Sequence, residues 1–290
     1  MRRIPSWPAA AVVACLAVAP AMTLPAALAP ARAASVPAAP PGGAVPPIRL
    51  DYALYGHGFH VMDVTVDLLL TPDAYSLRLN DHTVGLLGFM LRANVTSTAQ
   101  GRFVGDGVRP VRFTSIGYSR GAQRQTQLDY VDGNPSVTVL APPETRRDPV
   151  PIAQARGSVD TLSAIADLMR RVERSGRCDG NALVFDGLRL TRARSQTTGQ
   201  QTVPQDHGAA YGGTALRCDF VSQQVAGFLH NDDEAQLHRP QHGTAWINRV
   251  VAGAPPLPVR IMFEHPKLGL ATMVLTRVEA GPPSPPSPGG

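Results

Sequence analysis

IRLDYALYGHGFHVMDVTVDLLL, residues 48–70, holds two alternating runs about a glycine-flanked break. In an extended chain successive side chains point to opposite faces. Ile48, Leu50, Tyr52 and Leu54 therefore share one face, and Arg49, Asp51 and Tyr55 the other. Gly56, His57 and Gly58 supply the turn, and Val61, Val64 and Val66 favour a second strand. The stretch reads as an antiparallel hairpin with one apolar face.

The same pattern continues on the C-terminal side. AYSLRLNDHT (74–83) alternates again. VGLLGFMLRANVTSTAQGRFV (84–104) is a longer apolar run whose glycines favour a kinked strand over a helix. RPVRFTSIGYS (109–119), QRQTQLDYV (123–131) and PSVTVLAPP (135–143) extend the meander, with Asp132-Gly133 as a hairpin signal. After one interruption, ALVFDGLRLTRAR (182–194) turns at Asp186-Gly187. TALRCDFVSQQVAGFL (214–229), GTAWINRVV (243–251), LPVRIMFEHP (257–266) and LGLATMVLTRV (268–278) finish the series, and HPKLG (265–269) supplies the last hairpin turn. Strands at such regular spacing predict a mainly β chain: an antiparallel meander curved into a half-barrel or barrel.

The interruption is SVDTLSAIADLMRRVERSG, residues 158–176. Val159, Leu162, Ile165, Met169 and Val172 fall on one stripe at helical spacing, which predicts one packing helix over about 159–174. Ser158 is placed to cap its start, Asp160 suits the positive end of the dipole, and Gly176 ends it. Its expected task is to close one mouth of the β structure.

The first residues bear on compartment. Arg2 and Arg3 precede an apolar run from Ala9 to Ala29, and Ala31-Arg32-Ala33 is a small-residue cleavage site, so residues 1–33 read as a signal peptide. Pro20 and Pro25 argue against a retained span, and a lipobox ending at Cys15 would strand the rest of the apolar run behind it. The expectation is export to the periplasm with no transmembrane span after cleavage. Residues 34–46 read as a Pro/Ala/Gly linker, 47–279 as one β-rich domain and 280–290 as a Pro/Ser/Gly tail, the linker and tail being expected to be disordered.

Cleavage would remove three arginines and no acidic residue, lowering the net charge from +5 to +2. With basic residues scattered and Lys267 the only lysine, nothing resembles a phosphate-tracking groove, so no nucleic-acid partner is expected. Cys15 leaves with the leader. Cys178 and Cys218 remain, and an even pair in an oxidising compartment is most simply a disulfide. A redox or metal pair is the rival, and the absence of CxxC spacing argues against it.

Four stretches carry a family resemblance: VDTLSAIADLMR (159–170), CDGNALVFDGLRL (178–190), YGGTALRCDFVSQQVAGF (211–228) and PVRIMFEHPKLGLATMVLTRV (258–278). Together they resemble the bacterial family called domain of unknown function 3108. Asp160, Leu162, Ser163 and Ala164 match its helix phrase, and Cys178 and Cys218 its two cysteines. The resemblance is specific from about residue 158 onward and departs from the family at LHNDDEAQLHRPQHG (229–243). It implies no catalytic residues, because the family's activity is unassigned.

Candidate chemistry is sparse. GYSRG (117–121) puts Ser119 in the nucleophile position of G-x-S-x-G, but that elbow needs a following helix, and AQRQTQLDY alternates as a strand. His230, His238 and His242 with Asp232, Asp233 and Glu234 could hold a divalent ion, although Pro240 breaks the helix that His238 and His242 would need; a solvated loop is the better account. Asp206-His207 could approach them. His60 and Asp63 would lie on opposite faces of a regular strand, which argues against a paired acid/base role. His265 reads as a turn residue. No motif demands a cofactor.

The reading that follows is a periplasmic protein, a binder more readily than an enzyme, taking an apolar or amphiphilic ligand such as lipid, or an envelope component, in a concave β surface. The segment from Val84 to Leu91 and the helix are expected to line it. The alternatives are a metal-dependent or serine hydrolase and an assembly or scaffold protein of the envelope.

Overall fold

The computed structural model describes residues 46–85, 92–230, 238–265 and 268–281. Thirteen antiparallel strands form a single sheet that nearly closes into a barrel. In chain order they are β1 (Ile48–Gly56), β2 (Phe59–Leu70), β3 (Ala74–Thr83), β4 (Asn94–Val104), β5 (Gly107–Ser119), β6 (Ala122–Val131), β7 (Asn134–Ala141), β8 (Gly180–Phe185), β9 (Leu190–Val203), β10 (Gly213–Ala226), β11 (Gln241–Asn248), β12 (Leu257–His265) and β13 (Gly269–Ala280). Between β7 and β8 lie a single turn of helix, α1 (Ile152–Ala155), and the longer α2 (Thr161–Ser175).

The spatial order is β7-β6-β5-β4-β3-β2-β1-β13-β12-β11-β10-β9-β8. Every hairpin neighbour in sequence is thus a neighbour in space, and the first and last strands pair at the centre of the sheet. The sheet's ends are therefore two strands from mid-chain, β7 and β8. The segment that joins them crosses the gap. Val159 bridges Val184 in parallel, its N–H donating to Leu183 O at 2.9 Å and its carbonyl accepting from Phe185 N at 2.8 Å. Arg147 bridges Leu229. The β8–β9 turn reaches toward β6 from the other side, so closely that a Cβ on Gly187 would run into the Thr126 side chain.

Alternation sets the inner face. Leu50 of β1, Val64 and Leu68 of β2, and Tyr75 and Leu77 of β3 are all buried in one core cluster. The helix enters the same cluster with Leu162, Ala166 and Met169. Val172, further along it, packs on Leu216 and Ile247 beside Cys178 and Cys218. The helix expected over about 159–174 is present as Thr161–Ser175, with one face turned inward. Its cap differs: Asp160 accepts the Ser163 N–H at 2.8 Å, while the Ser158 hydroxyl donates to Ala155 O at 2.6 Å. Val159 is committed to the bridge with β8 and Ser158 to Ala155 O, so the helix begins only after them. Gly176 ends it in the left-handed conformation, as its position predicts.

Two further expectations shift. The kinked strand expected from residue 84 starts at Asn94, and residues 86–91 lie outside the described residues; Val84 N–H still donates to Val61 O at 3.3 Å. At the C-terminal end β13 continues to Ala280, and Gly281 N–H donates to Pro47 O at 2.8 Å.

Candidate functional site

Outside the core, the opposite face of β8–β13 carries a groove of about 990 Å³. The registers explain which residues reach it. Cys218, Ala245 and Ile247 face the helix, so Asp219, Thr244 and Trp246 face away from it. Thr244 pairs with Met262 and Trp246 with Arg260, carrying the same face onto β12. Trp246, Met262 and Leu270 give the groove apolar walls; Arg194, Arg217, Asp219, His242 and Glu264 give it polar ones.

Part of that charge is spent internally. Arg217 holds both oxygens of Asp219, at 2.9 and 3.2 Å, and Thr244 donates to the first of them at 2.7 Å. Burial works to raise the Asp219 carboxyl, and the bonds from Arg217 and Thr244 outweigh it, holding the group below the usual range. Arg194 donates to the Asn181 amide oxygen at 3.0 Å, and Glu264 accepts the His242 N–H at 3.1 Å. Trp246 Nε1 donates to Gln201 Oε1 at 3.0 Å, fixing the indole against the groove wall.

One edge of the groove is a folded-back loop. The β9–β10 connection lies over β12 and β13: Asp206 pairs with Arg260, whose NH2 reaches it at 3.2 Å, and Ala210 N–H donates to Leu275 O at 2.8 Å. Hydrogen bonds from Arg260 are the main reason the Asp206 carboxyl is held low. Arg260 itself is buried at 4 % exposure, in a strand otherwise read as apolar. A buried arginine requires a partner. That requirement was a usable signal for the Asp206 contact, although nothing in the sequence says which loop supplies it.

The loop also brings His207 to Tyr55, whose rings stack at 4.1 Å, while Tyr55 OH donates to His207 O at 3.3 Å. Tyr55 stacks as well on His60, at 5.3 Å. Here the expectation from strand alternation fails: His60 Nε2 and Asp63 Oδ1 are 2.7 Å apart, on one face. The register of β2 against β1 skips Val61, Leu54 facing Met62 and Tyr55 facing His60, so Val61 and Met62 are both buried. This bulge adds one residue and restores His60 to the side of Asp63. His82, opposite Asp63 on β3, stands 3.6 Å from its other oxygen.

The other predicted positions separate. Ser119 is the last residue of β5; Arg120 and Gly121 follow at φ 52° and 80°, a two-residue turn into β6. A strand therefore follows Ser119 where an elbow would have a helix. Gly117 has a structural reason of its own, since a Cβ there would run into Asn94 O and Val95 Cα. His230 Nε2 lies 3.1 Å from Asp148, the His238 ring sits 4.5 Å from that of Phe228, and His242 stands on β11. Asp232, Asp233 and Glu234 lie outside the described residues. Asp206 and His207 are engaged with Arg260 and Tyr55. Among the described residues no group of three or more His, Cys, Asp or Glu is arranged to hold a metal ion. His265 ends β12, its Nδ1 accepting the Leu268 N–H at 3.2 Å.

Cys178 and Cys218 face each other at disulfide distance, with sulfurs 2.08 Å and Cα atoms 6.1 Å apart. They tie the exit of α2 to β10. Among the described residues no helix is long and apolar enough to cross a membrane.

The fold defines the class: an antiparallel β-barrel-like protein with a helix in the seam. A family model described as "Protein of unknown function (DUF3108)" matches residues 49–276, and the chain belongs to that family. Among solved structures it is similar to the crystal structure of a β-barrel-like protein of domain of unknown function DUF1849 from Brucella abortus. The identity is 11 %, the TM-score 0.46, and the match covers 82 % of this chain and 98 % of that one. Comparison with curated proteins finds no match.

Proposed function

We propose that this is an exported periplasmic protein that holds an apolar or amphiphilic ligand in the groove on the outer face of β8–β13. The observation that carries the reading is the groove itself. At about 990 Å³ it has the size of a small-ligand site, and its aromatic and aliphatic walls alternate with polar groups that include the paired Arg217 and Asp219. Such a surface favours a ligand with an apolar body and hydrogen-bonding ends over a strongly charged one. Export is supported by the N-terminal signal pattern and by two cysteines at disulfide distance, which suit an oxidising compartment.

The test is a native mass spectrum of the purified protein together with an organic extract. Wild type is expected to carry a small-molecule adduct that appears in the extract. Leu270→Arg places a cation at the groove wall on a residue 58 % exposed, so the fold should tolerate it while the adduct is lost. Bare wild-type protein with an empty extract would refute the reading.

A further inference from the structure

The groove carries its charge in an ordered line. One cross-strand row runs through all six of its strands: Asn181 faces Arg194, Arg194 faces Val221, Val221 faces His242, and Glu264 faces Leu270. The His242 N–H donates to Glu264 at 3.1 Å and joins the two halves of the row. All six residues line the groove. A second row, Asp219, Thr244 and Met262, lies beside it.

Two charges in these rows stand apart from the rest. Arg217 and Asp219 neutralise each other within the wall. Arg194 spends its Nε on the Asn181 amide oxygen at 3.0 Å, and among the described residues its two Nη atoms have no partner. Glu264 takes the His242 N–H on Oε2, and among the described residues no cation pairs with it. Arg194 stands on β9 and Glu264 on β12, three strand spacings apart, which is about 14 Å. Between them stand Val221, Thr244 and Met262. A lone cation and a lone anion across an apolar floor favour a ligand that carries the reverse pair at the same spacing. A guanidinium fork takes a carboxylate through two parallel bonds, and a carboxylate accepts the N–H groups of an ammonium. An extended chain advances about 3.3 Å per residue, so about four residues span the distance. In a zwitterionic lipid head the two charges lie only a few bonds apart, too close to reach both.

We propose that the groove takes a short extended peptide with free ends, its terminal carboxylate on Arg194, its amine on Glu264 and its apolar side chains over Val221 and Met262. The amides of Asn181 and Gln196, at the Arg194 end, offer hydrogen bonds to the peptide backbone. The proposal rests on the groove being a ligand site and names what that site selects.

Tryptophan fluorescence of protein freed of its leader tests it. Trp7 leaves with the leader, so Trp246 in the groove wall then reports alone. The probes are an alanine-leucine tetrapeptide with free ends, its C-terminal amide, its N-acetyl form and a short-chain monoacylglycerol. The free tetrapeptide is expected to shift the emission saturably, and each capped form to bind about tenfold more weakly. Arg194→Gln should weaken the free and N-acetyl peptides about tenfold and leave the amide unchanged. Glu264→Gln should weaken the free peptide and the amide and leave the N-acetyl form unchanged. Arg192→Gln, on the same face of β9 but outside the groove, should change none of them. No response to any peptide would overturn the inference; a response to the monoacylglycerol alone would do so while leaving the groove reading standing. Losses that ignore which end is capped, or that Arg192→Gln reproduces, would also overturn it, because diffuse charge would then account for them.

Discussion

Asp81 faces inward from β3, between Val64 on β2 and Val95 on β4, and burial pushes its carboxyl from 3.8 up to about 6. The folded state therefore holds this proton more tightly than the unfolded chain. The stability it confers is complete below about pH 4 and lost as pH rises through 6. Asp81→Asn should match wild type in urea unfolding at low pH and exceed it by up to about 2 kcal/mol at pH 8. A variant that matches wild type at both pH values would contradict the assignment. The residue scale is also where alternation failed as a guide. VMDV at 61–64 reads as regular strand, yet the bulge places Val61 and Met62 both inside and brings His60 to Asp63. A bulge is set by how β2 registers on β1 as the sheet curves, and no local composition marks it. Gly117 shows the converse: its motif suggested chemistry, and its reason is a close approach to the β4 backbone.

Among the elements, α2 was the most legible, because one stripe of apolar residues at helical spacing has few other uses. Its start was less so. Asp160 is buried, accepts from the Ser163 N–H and hydroxyl at 2.8 and 2.6 Å, and stands 3.5 Å from Tyr130 OH, while Ser163 also receives Tyr75 OH at 2.8 Å. The cap thus ties the helix to β3 and β6, a tertiary role invisible in a capping pattern. Asp160→Ala should cost about 2 kcal/mol in chemical denaturation, through the lost cap and the donors left buried. Met169→Ala, which opens space in the core beneath the same helix, should cost about 2–5 kcal/mol. If both variants unfold at the wild-type midpoint, the helix does not close the seam as described.

At the scale of the whole molecule, hairpins were readable from alternation and turn residues, so the meander and its curvature followed. The pairing of β1 with β13 was not, since it joins residues at opposite ends of the domain. The groove and the folded-back loop were hidden for the same reason: Arg260, Asp206, Gln201 and Trp246 meet only once the strands are in register. The cysteine pair, by contrast, was legible by elimination once Cys15 was assigned to the leader. With a sequence separation of 40, Cys178→Ser and Cys218→Ser together should lower stability by about 4 kcal/mol, and denatured, non-reduced wild-type protein without the leader should show no free thiol. The central claim, a ligand carried in the groove of an exported barrel, meets its most direct test in the native mass spectrum of protein purified from the periplasm. Wild type should fly with an apolar or amphiphilic adduct that Leu270→Arg loses; a bare wild-type ion with nothing in its organic extract would contradict the account.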